Sequence, residues 1–471
     1  MIPGHRGFAA SPGDLAALPG AHVPAAALHA LGALGAFHPL AQGPCTTAAL
    51  AAGCAADARG LDVVLELLGG LGLVERSVDG WAPGPQLAGA LATAGGPARL
   101  SAALATAAAT WDGAADPEVW VRDDLPARWA AAGPALAPVI HLAWGHLIAA
   151  ALPPLAGAGL LRPDSWAPVP PGLARHADLA QRAGVLERGG QLVRLHRAAA
   201  TAWGLGTAGT GWFTRRLRLD QDWFWGPLGS LTECLREGSP VTRSSAPGHG
   251  AAFRAEFTRC NADVAGLAES AARVAAAVHA PRRALRVLDV GAATGHWGVG
   301  FAAANAATRV VAVDASPVLA VTRQLVEAAG LGAQFTWWPN PGYGPPEGHY
   351  DVIVLNQICH TFGAAQLPAW LGVIVERLAP GGLLLVADLV LDDTRRAPVR
   401  HLASAVRLLV TGGGRVRSHQ EYSRLFAGIG FGEVTLHRLA ASDLLLVRNR
   451  DRRRAVLPAG GRTRRVERIS R

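Results

Sequence analysis

Between residues 285 and 447 the chain alternates regularly between short apolar runs and longer segments with helical periodicity. Runs that are apolar along their whole length are typical of buried strands in a parallel sheet whose two faces are covered by helices. Ligands bind such sheets at the carboxyl ends of the strands. The pattern predicts an α/β domain with seven strands, the last two antiparallel, at Leu285–Val290, Arg309–Val313, Gln334–Trp338, Asp351–Leu355, Leu383–Leu389, Glu433–Leu439 and Asp443–Val447.

The composition of the 471 residues excludes several functional classes. The chain has no lysine, which excludes a Schiff-base lysine enzyme and a P-loop nucleotidase. Its five cysteines are odd in number and form no Cys-x-x-Cys pair, so we expect no metal site, no disulfide framework and a reducing, cytoplasmic location. Eight of the nine net positive charges lie in residues 448–471, and the nearly neutral remainder argues against binding of nucleic acid.

Two segments bear on targeting and on membranes. Residues 1–20 are interrupted by three prolines, and we expect a loose leader there rather than a signal peptide. The longest apolar stretch, Leu142–Leu161, contains Pro153 and Pro154. Because proline interrupts helical hydrogen bonding, the stretch predicts a buried helix pair broken at these prolines, with a membrane span as the alternative.

The N-terminal region has the pattern of three helices and a hairpin, which predicts a winged helix. Its third helix has Arg59 as its only basic residue against three acids, so we expect packing or dimerisation rather than recognition of DNA. The pattern consists of helical spacing over Val23–Leu40, a Thr46 or Thr47 cap for a helix that ends near Gly53, an Asp57 cap for a helix over Ala58–Leu68, and a hairpin turn at Asp79–Gly80.

The middle of the chain is less clearly patterned. Segments Leu147–Leu161, Leu173–Ala183 and 184–195 echo the N-terminal order, which indicates either a degenerate second winged helix or a chance echo. The aromatic cluster Asp222–Gly226 is either core or a wall of a substrate pocket. The predicted domains are a winged-helix dimerisation domain (1–104), a helical insertion with a linker (105–245), a ligand-binding α/β domain (246–449) and a disordered Arg-rich tail (450–471).

A glycine-rich turn follows the first strand of the predicted sheet. Gly291 and Gly295 let the backbone turn tightly and approach a ligand, whereas Ala293 stands where a dinucleotide-binding turn has a glycine against its pyrophosphate. Asp314 ends the second strand, where a carboxylate can accept both ribose hydroxyls of an adenosine; a helix N-cap is the alternative. Together they predict a nucleoside ligand without a pyrophosphate.

Other strands end in aromatic and polar residues at the same edge. Trp337 and Trp338 could stack on an adenine and Asn340 could bind its edge, unless one tryptophan belongs to the core. His360 follows the fourth strand, where an imidazole can take a proton from a hydroxyl, and Asp388 ends the fifth, where it can orient that imidazole. A structural histidine and a loop-stabilising acid are the alternatives. The candidate cofactor-binding residues are Asp289, Gly291, Gly295, Asp314, Trp338, Asn340 and Asn356.

These segments together resemble S-adenosylmethionine-dependent O-methyltransferases with an N-terminal winged-helix dimerisation domain. The resemblance implies a Rossmann-like methyltransferase sheet, S-adenosyl-L-methionine as cofactor, a small-molecule hydroxyl acceptor and a homodimer formed through the N-terminal region. It further implies that the glycine turn holds the amino-acid end of the cofactor, Asp314 its ribose, His360 is the general base and Asp388 orients that base. It rests on Leu288–Gly298, Asp314, Ile358–His360, Leu378–Gly382, Ala387–Asp388, Thr411–Tyr422 and Gly428–Phe431.

The chain departs from that family at three places. Thr361 and Phe362 follow the base, where the family has an acid and a tryptophan, and a second orienting glutamate would fall near Val416. Strand three lacks the usual acid, which leaves Asn340 as the nearest residue. The resemblance implies O-methyl transfer in secondary metabolism; a same-fold tailoring enzyme that does not methylate and a winged-helix ligand-sensing regulator are the alternatives.

Overall fold

The computed structural model divides the chain into two compact units, Met1–Arg243 with Leu402–Gly412, and Ser244–His401 with Gly413–Arg471. Residues 1–19 of the predicted leader, residues 241–248 of the linker predicted over Pro240–Gly250, and the Arg-rich tail lie outside the described residues. The structure describes residues 20–112, 135–136, 139, 142–143, 145–203, 211–240, 249–262, 267–278, 284–412, 414–439 and 443–449.

The first unit opens with short helices and a hairpin. Gly35, at a φ of +71°, interrupts the predicted helix over Val23–Leu40, so this stretch forms two helices. The side chains of Thr46 and Asp57 cap the next two helices as predicted, each accepting from the backbone N–H three residues on, at 3.2 and 2.6 Å. The elements are α1 (His22–Ala33), α2 (Phe37–Gln42), α3 (Thr47–Cys54), α4 (Ala58–Gly70), β1 (Val74–Ser77), β2 (Gly80–Pro83), α5 (Pro85–Leu91) and α6 (Gly96–Ala108).

One continuous helix stands where the sequence predicts a broken pair. This helix, α7 (Gly145–Gly157), carries Pro153 and Pro154 inside it, so the predicted break is wrong. The fixed φ of proline is compatible with a helix, and burial of neighbours such as Leu152 in an apolar core holds the segment together. Among the described residues no helix is both long and apolar enough to cross a membrane.

After α7 the first unit repeats the order of a helix followed by a hairpin. A third short strand joins this second hairpin, giving the order β3-β5-β4. Assignment of either module as a winged helix stays a prediction. The elements are β3 (Ala167–Pro168), α8 (Ala174–Arg182), β4 (Leu186–Gly189), β5 (Leu192–Leu195), α9 (Arg197–Ala202), α10 (Gly211–Trp223), α11 (Trp225–Gly229) and α12 (Leu231–Glu237).

The second unit alternates strands and helices, and each of the seven predicted strands is confirmed. Two further strands, β11 and β12, pair with each other. The helix α18 contributes residues to both units. The elements are α13 (His249–Asn261), α14 (Leu267–Val278), β6 (Arg286–Val290), α15 (His296–Ala304), β7 (Arg309–Asp314), α16 (Ser316–Ala328), β8 (Phe335–Pro339), β9 (Tyr350–Asn356), α17 (Gln366–Val375), β10 (Leu378–Asp388), β11 (Val390–Leu391), α18 (Val399–Thr411), β12 (Arg417–Ser418), α19 (His419–Gly428), β13 (Phe431–Arg438) and β14 (Asp443–Asn449).

The seven strands form one sheet with the order β13-β14-β10-β9-β6-β7-β8. Strands β10, β9, β6, β7 and β8 are parallel, and β14 is antiparallel to both of its neighbours. Successive residues of a strand belong to different cores, since Ile353 packs in one apolar cluster and Val354 in the other. Both faces of the sheet are thus covered, which explains the continuously apolar strands and confirms the predicted fold class.

Strand β10 begins earlier than the sequence predicts. Its pairing with β9 shifts register between Leu378 and Leu383, and Gly381 lies in this interval at a φ of +77°. A bulge of this kind is what glycine permits, so a segment that looks like a turn in the sequence belongs to the strand.

Candidate active site

Strand β6 runs directly into a turn that requires glycine. Gly291 has a φ of +71°, and a Cβ at this position would lie 2.7 Å from the carbonyl oxygen of Asn356. Gly295, at a φ of +73°, is the N-cap residue of α15. The glycine at 291 is therefore required by close packing against β9 as well as by its left-handed conformation; the approach of a ligand to it stays a prediction.

Ala293 also has a left-handed conformation, with a φ of +47°. Its N–H donates to Asp314 Oδ2 at 3.2 Å, and its carbonyl oxygen accepts from Thr322 Oγ1 at 2.5 Å. An L-residue in this region costs about 1 kcal/mol or more, so these two hydrogen bonds help to hold the turn in place. Thr322 lies on α16, and the sequence analysis did not identify it.

Asp314 ends β7 beside this turn and has only 3% of its surface exposed. One carboxylate oxygen accepts from Ala293 and the other from the backbone N–H of Ala315, at 2.8 Å. Ala315 occupies the N-cap position of α16, so the alternative that Asp314 is the cap is wrong. Burial raises the pKa of Asp314 to about 6, although the two N–H donors oppose this effect.

Asp289 lies in β6 and is fully buried. Its Oδ2 accepts from the backbone N–H of Gly298 at 3.1 Å, whereas its Oδ1 has no hydrogen-bond partner among the described residues. Burial is the main cause that raises the pKa of Asp289 to about 7, and the charge of Asp314 adds to it. A cationic ligand beside these two buried carboxyl groups would favour their ionised forms.

His360 lies on a short 3₁₀ turn, Cys359–Thr361, which follows β9. Its Nδ1 is 2.5 Å from Asp388 Oδ1, and its backbone N–H donates to Asp388 Oδ2 at 3.0 Å. The imidazole is 13% exposed and the carboxylate is fully buried. The structure thus brings together the predicted pair, and no described residue hydrogen-bonds the other ring nitrogen, Nε2.

Asp388 accepts four hydrogen bonds from the described residues. Besides the two from His360, Oδ1 accepts from the backbone N–H of Leu389 at 2.7 Å and Oδ2 from the hydroxyl of Tyr422 at 2.8 Å. Burial by itself would raise the pKa of Asp388, but the imidazole and the donors outweigh it, and the pKa lies below its ordinary value. The carboxylate is therefore ionised at neutral pH and holds the imidazole with its proton on Nδ1.

The chain is similar in sequence to known methyltransferases. A family model described as a methyltransferase domain matches residues 261–436. The chain is 25% identical over 166 residues to the tetracenomycin polyketide synthesis 8-O-methyl transferase of Streptomyces glaucescens, and 26% identical over 158 residues to the 3-hydroxy-5-methyl-1-naphthoate 3-O-methyltransferase of Streptomyces sahachiroi. Residues 261–436 thus resemble a methyltransferase domain, and the two relatives are O-methyltransferases. These alignments cover 35% and 33% of this chain, which spans about half the length of the two relatives, 49% and 46%.

The fold is also that of O-methyltransferases. A solved structure of an O-methyltransferase family 2 protein from Planctomyces limnophilus, in complex with apigenin, has a TM-score of 0.53 at 14% identity. The likeness covers 93% of this chain and 95% of that chain. At such low identity it shows the fold alone, and it agrees with the seven-stranded sheet described above.

The two tryptophans at the end of β8 have different environments. Trp337 stacks on Phe335, with ring centroids 5.5 Å apart, and packs against the core, whereas Trp338 is 42% exposed. One tryptophan thus belongs with the core, and the other presents a free surface on which an adenine could stack.

The two asparagines among the predicted cofactor-binding residues donate hydrogen bonds to the protein's own backbone. Asn340 donates through Nδ2 to the carbonyl oxygen of Gly344 at 3.2 Å and so closes its own loop. Asn356 donates through Nδ2 to the carbonyl oxygen of Gly291 at 3.1 Å and so links the ends of β9 and β6. Both side chains shape the edge of the sheet, and their contact with a cofactor stays a prediction.

Two residues that hold the turn of His360 and its partner Asp388 were missed by the sequence analysis. Arg417 is buried and donates at 2.9 Å to the carbonyl oxygens of Cys359 and Phe362, on either side of His360. Tyr422 donates to Asp388. Both lie in the late segment that resembles the family, but they are distant in sequence from the turn they hold, and no local pattern links them to it.

Val416, near which the family's second glutamate would fall, is itself buried. The nearby Glu421 accepts hydrogen bonds from the guanidinium groups of Arg395, at 2.6 Å, and Arg415, and it forms a capping box with Ser418 at the start of α19. Glu421 is thus engaged in holding this helix in place.

The five cysteines are free thiols. Within the part of the chain that the structure describes, no group of three or more His, Cys, Asp or Glu side chains is arranged to hold a metal ion.

Proposed function

We propose that the protein transfers the methyl group of S-adenosylmethionine to a hydroxyl of a small aromatic or polyketide-like molecule, with His360 as general base and Asp388 as the acid that orients it. The observation that carries the proposal is the 2.5 Å contact between His360 Nδ1 and Asp388. The pair follows the carboxyl ends of β9 and β10, and β9 is the neighbour of the strand that enters the glycine turn. The two relatives are named for O-methylation of a tetracenomycin polyketide and of a hydroxynaphthoate, which supports an acceptor of this class.

The residues that follow β6 and β7 fit this cofactor, which carries a sulfonium and an ammonium group. The unpartnered Oδ1 of Asp289 is a buried polar atom that a cationic ligand would satisfy, directly or through water. In this proposal the turn from Gly291 to Gly295 holds the amino-acid end, Asp314 accepts from the ribose hydroxyls, and Trp338 stacks on the adenine.

The side chains at the end of β9 supply acid–base chemistry. When bound, the cofactor provides an electrophilic methyl carbon, whose bond to sulfur breaks as the acceptor oxygen bonds to it. His360 takes the hydroxyl proton on Nε2, because Nδ1–H is engaged by Asp388. Asp388 remains ionised and stabilises the imidazolium that results. Such a base contributes about 10²- to 10⁴-fold to the rate, and the positioning of the reactants accounts for much of the rest.

Two predictions about the whole chain belong to this proposal. We infer that residues 1–104 form a dimerisation domain, as the resemblance to the family implies, so that the working form is a homodimer. The number and spacing of the cysteines support a cytoplasmic location.

Titration calorimetry with S-adenosylhomocysteine tests the cofactor site. Wild type should bind, and Asp314→Ala should bind at least tenfold more weakly, since about 1.5 kcal/mol or more is lost with a hydrogen bond to a charged group. Glu327→Ala, which removes an exposed carboxylate from the same unit, is the matched control and should bind as wild type does. Equal binding by wild type and Asp314→Ala would contradict the assignment of the site.

Mass spectrometry of reactions with S-adenosylmethionine and a panel of hydroxynaphthoates, hydroxybenzoates and hydroxylated polyketides tests the chemistry. A product heavier by one methyl group supports the proposal. Tight binding of S-adenosylhomocysteine without any methylated product would favour the same-fold tailoring enzyme that does not methylate.

A further inference from the structure

Tyr422 is a fully buried tyrosine on α19 whose hydroxyl reaches the candidate catalytic pair. The hydroxyl donates to Asp388 Oδ2 at 2.8 Å, and the ring stacks on Phe426 with centroids 6.2 Å apart. Burial, together with the charge of Asp388, raises the pKa of Tyr422 well above its ordinary value. The phenol is therefore a permanent O–H donor over the range of pH in which enzymes work.

The four hydrogen bonds to Asp388 divide evenly between its two oxygens. Oδ1 accepts from His360 Nδ1 and from the backbone of Leu389, and Oδ2 accepts from the backbone of His360 and from Tyr422. Three of the four donors belong to Asp388's own strand end or to the turn of the base. Only Tyr422 comes from a separate element of the described residues, and it shares with the backbone N–H of His360 the oxygen that does not contact the imidazole.

We propose that Tyr422 is a positioning residue for methyl transfer, the third member of a Tyr422–Asp388–His360 chain of hydrogen bonds. The inference rests on the proposed function of His360. Together with the two backbone N–H donors, the phenol on Oδ2 sets the rotation of the carboxylate about its Cβ–Cγ bond, and so it helps to aim Oδ1 at Nδ1 of the imidazole. The resemblance to the family places a second orienting glutamate near Val416, which is a buried valine in this chain. In this proposal Tyr422 supplies the second support for His360 instead.

The orientation of this carboxylate decides which ring nitrogen carries the proton. With Oδ1 aimed at it, Nδ1 is the protonated nitrogen and Nε2 presents a lone pair to an acceptor hydroxyl. If the carboxylate rotates, the tautomer with its proton on Nε2 becomes populated, and this form has no lone pair on Nε2 with which to take a proton. Loss of the phenol should therefore reduce the fraction of His360 in the competent tautomer without altering the cofactor site.

The test compares Tyr422→Phe, which removes only the hydroxyl, with Tyr350→Phe as matched control. Tyr350 is likewise buried, but it begins β9, at the opposite end of the strand from His360, with its ring beneath the guanidinium of Arg286. In ¹⁵N NMR of the full chain labelled at histidine, His360 is assigned by its loss in His360→Asn. Wild type and Tyr350→Phe should show the Nδ1–H form, and Tyr422→Phe should show a mixture of the two tautomers.

Steady-state kinetics with an acceptor found in the methylation assay gives the second readout. Tyr422→Phe should lower kcat by about tenfold, the change that corresponds to about 1.4 kcal/mol for one hydrogen bond to a charged group. Its KM for S-adenosylmethionine should match that of wild type, and Tyr350→Phe should change neither constant.

The two readouts separate failure of this inference from failure of the proposed function. An unchanged Nδ1–H signal in Tyr422→Phe, or an equal fall of kcat in both variants, overturns the role of Tyr422. If wild type methylates nothing, the proposed function fails, while the tautomer signals still decide whether Tyr422 positions the imidazole.

A measurement on the unaltered chain keeps the inference testable if Tyr422→Phe does not fold. The chain has only three tyrosines, so proton NMR of a sample with ¹³C-labelled tyrosine can find a hydroxyl proton that is protected from exchange at neutral pH. Such a proton supports the bond to Asp388 if it persists in Tyr343→Phe and in Tyr350→Phe, and its absence from all three tyrosines overturns the proposal.

Discussion

The turns that follow β6 and β9 lie at the carboxyl ends of neighbouring strands, yet the carboxyl groups associated with them differ. Asp388, beside the turn of His360, accepts four hydrogen bonds, and its pKa lies below the ordinary value. Within the part of the chain that the structure describes, Asp289, before the glycine turn, accepts one hydrogen bond and has one oxygen without a partner, and burial raises its pKa to about 7. The described residues themselves complete the hydrogen bonding of Asp388, whereas a cationic ligand would complete that of the acidic groups beside the glycine turn. At one edge of the sheet, the hydrogen bonds of Asp388 are thus already formed, whereas those of Asp289 would be completed only when a ligand binds.

Replacing His360, the proposed base, tests the turn whose hydrogen bonds to Asp388 are already formed. His360→Asn keeps a side-chain N–H that can face Asp388 but removes the ring nitrogen that takes the proton. We expect kcat for methyl transfer to fall by about 10³-fold, within the range for a lost general base, while calorimetry finds unchanged binding of S-adenosylhomocysteine. Activity close to that of wild type would show that the proton goes elsewhere and that the ordered turn is structural.

Adding one methyl group to the glycine turn tests its geometry. In Gly291→Ala the new Cβ would lie 2.7 Å from the Asn356 carbonyl oxygen, in a backbone conformation with a φ of +71°. We expect a loss of about 3 kcal/mol in the free energy of unfolding, from the strained backbone and the close contact together, measured by urea denaturation.

Ala293→Gly is the reverse change in the same turn and serves as control. Glycine relieves the backbone strain of the left-handed alanine, which has a φ of +47°. It also has greater conformational entropy in the unfolded chain, and the two effects offset each other. The free energy of unfolding should therefore change by less than about 0.5 kcal/mol. An equal loss in the free energy of unfolding in the two variants would contradict a specific lack of space at residue 291. It would show instead that the turn tolerates no substitution.

The acidic groups beside the glycine turn predict a pH dependence of cofactor binding. A cationic ligand favours ionised carboxylates, and burial raises the pKa of Asp289 to about 7 and that of Asp314 to about 6. As pH falls through these values both groups take up protons, so the affinity for S-adenosylmethionine should drop by about tenfold between pH 8 and pH 6. Calorimetry in buffers of different ionisation enthalpy should detect proton release on binding near pH 7.

Asp289→Asn is the control for that dependence. It removes the group with the higher pKa, so most of the fall in affinity between pH 8 and pH 7 should disappear with it. A pH profile that is unchanged in this variant would mean that Asp289 stays in one protonation state throughout, and the contrast between the two turns would then rest on Asp314 alone.

Sequence reasoning was most successful where a feature is local. The apolar strands and the caps at Thr46 and Asp57 each depend on residues within a few positions of one another, and the structure confirms them. It was wrong at Pro153 and Pro154, because burial of the surrounding side chains holds a helix that local propensity would end. Asn340 shows another limit: its side chain was predicted to bind a ligand, which stays a prediction, and in the structure it closes its own loop.

The sequence by itself determined the α/β sheet and the positions of Gly291, Asp314, His360 and Asp388 at strand ends, because strand periodicity and glycine turns are short-range properties of a chain. Only the tertiary structure decided which donors surround each carboxylate. Tyr422 donates a hydrogen bond to Asp388, which lies 34 residues away in the sequence. Asp289 Oδ1, inside a buried strand, has no hydrogen-bond partner among the described residues. Such partners depend on how whole helices and strands pack. A hydrogen bond that contributes little to stability in water contributes more once both groups are buried, because a buried polar group without a partner costs free energy.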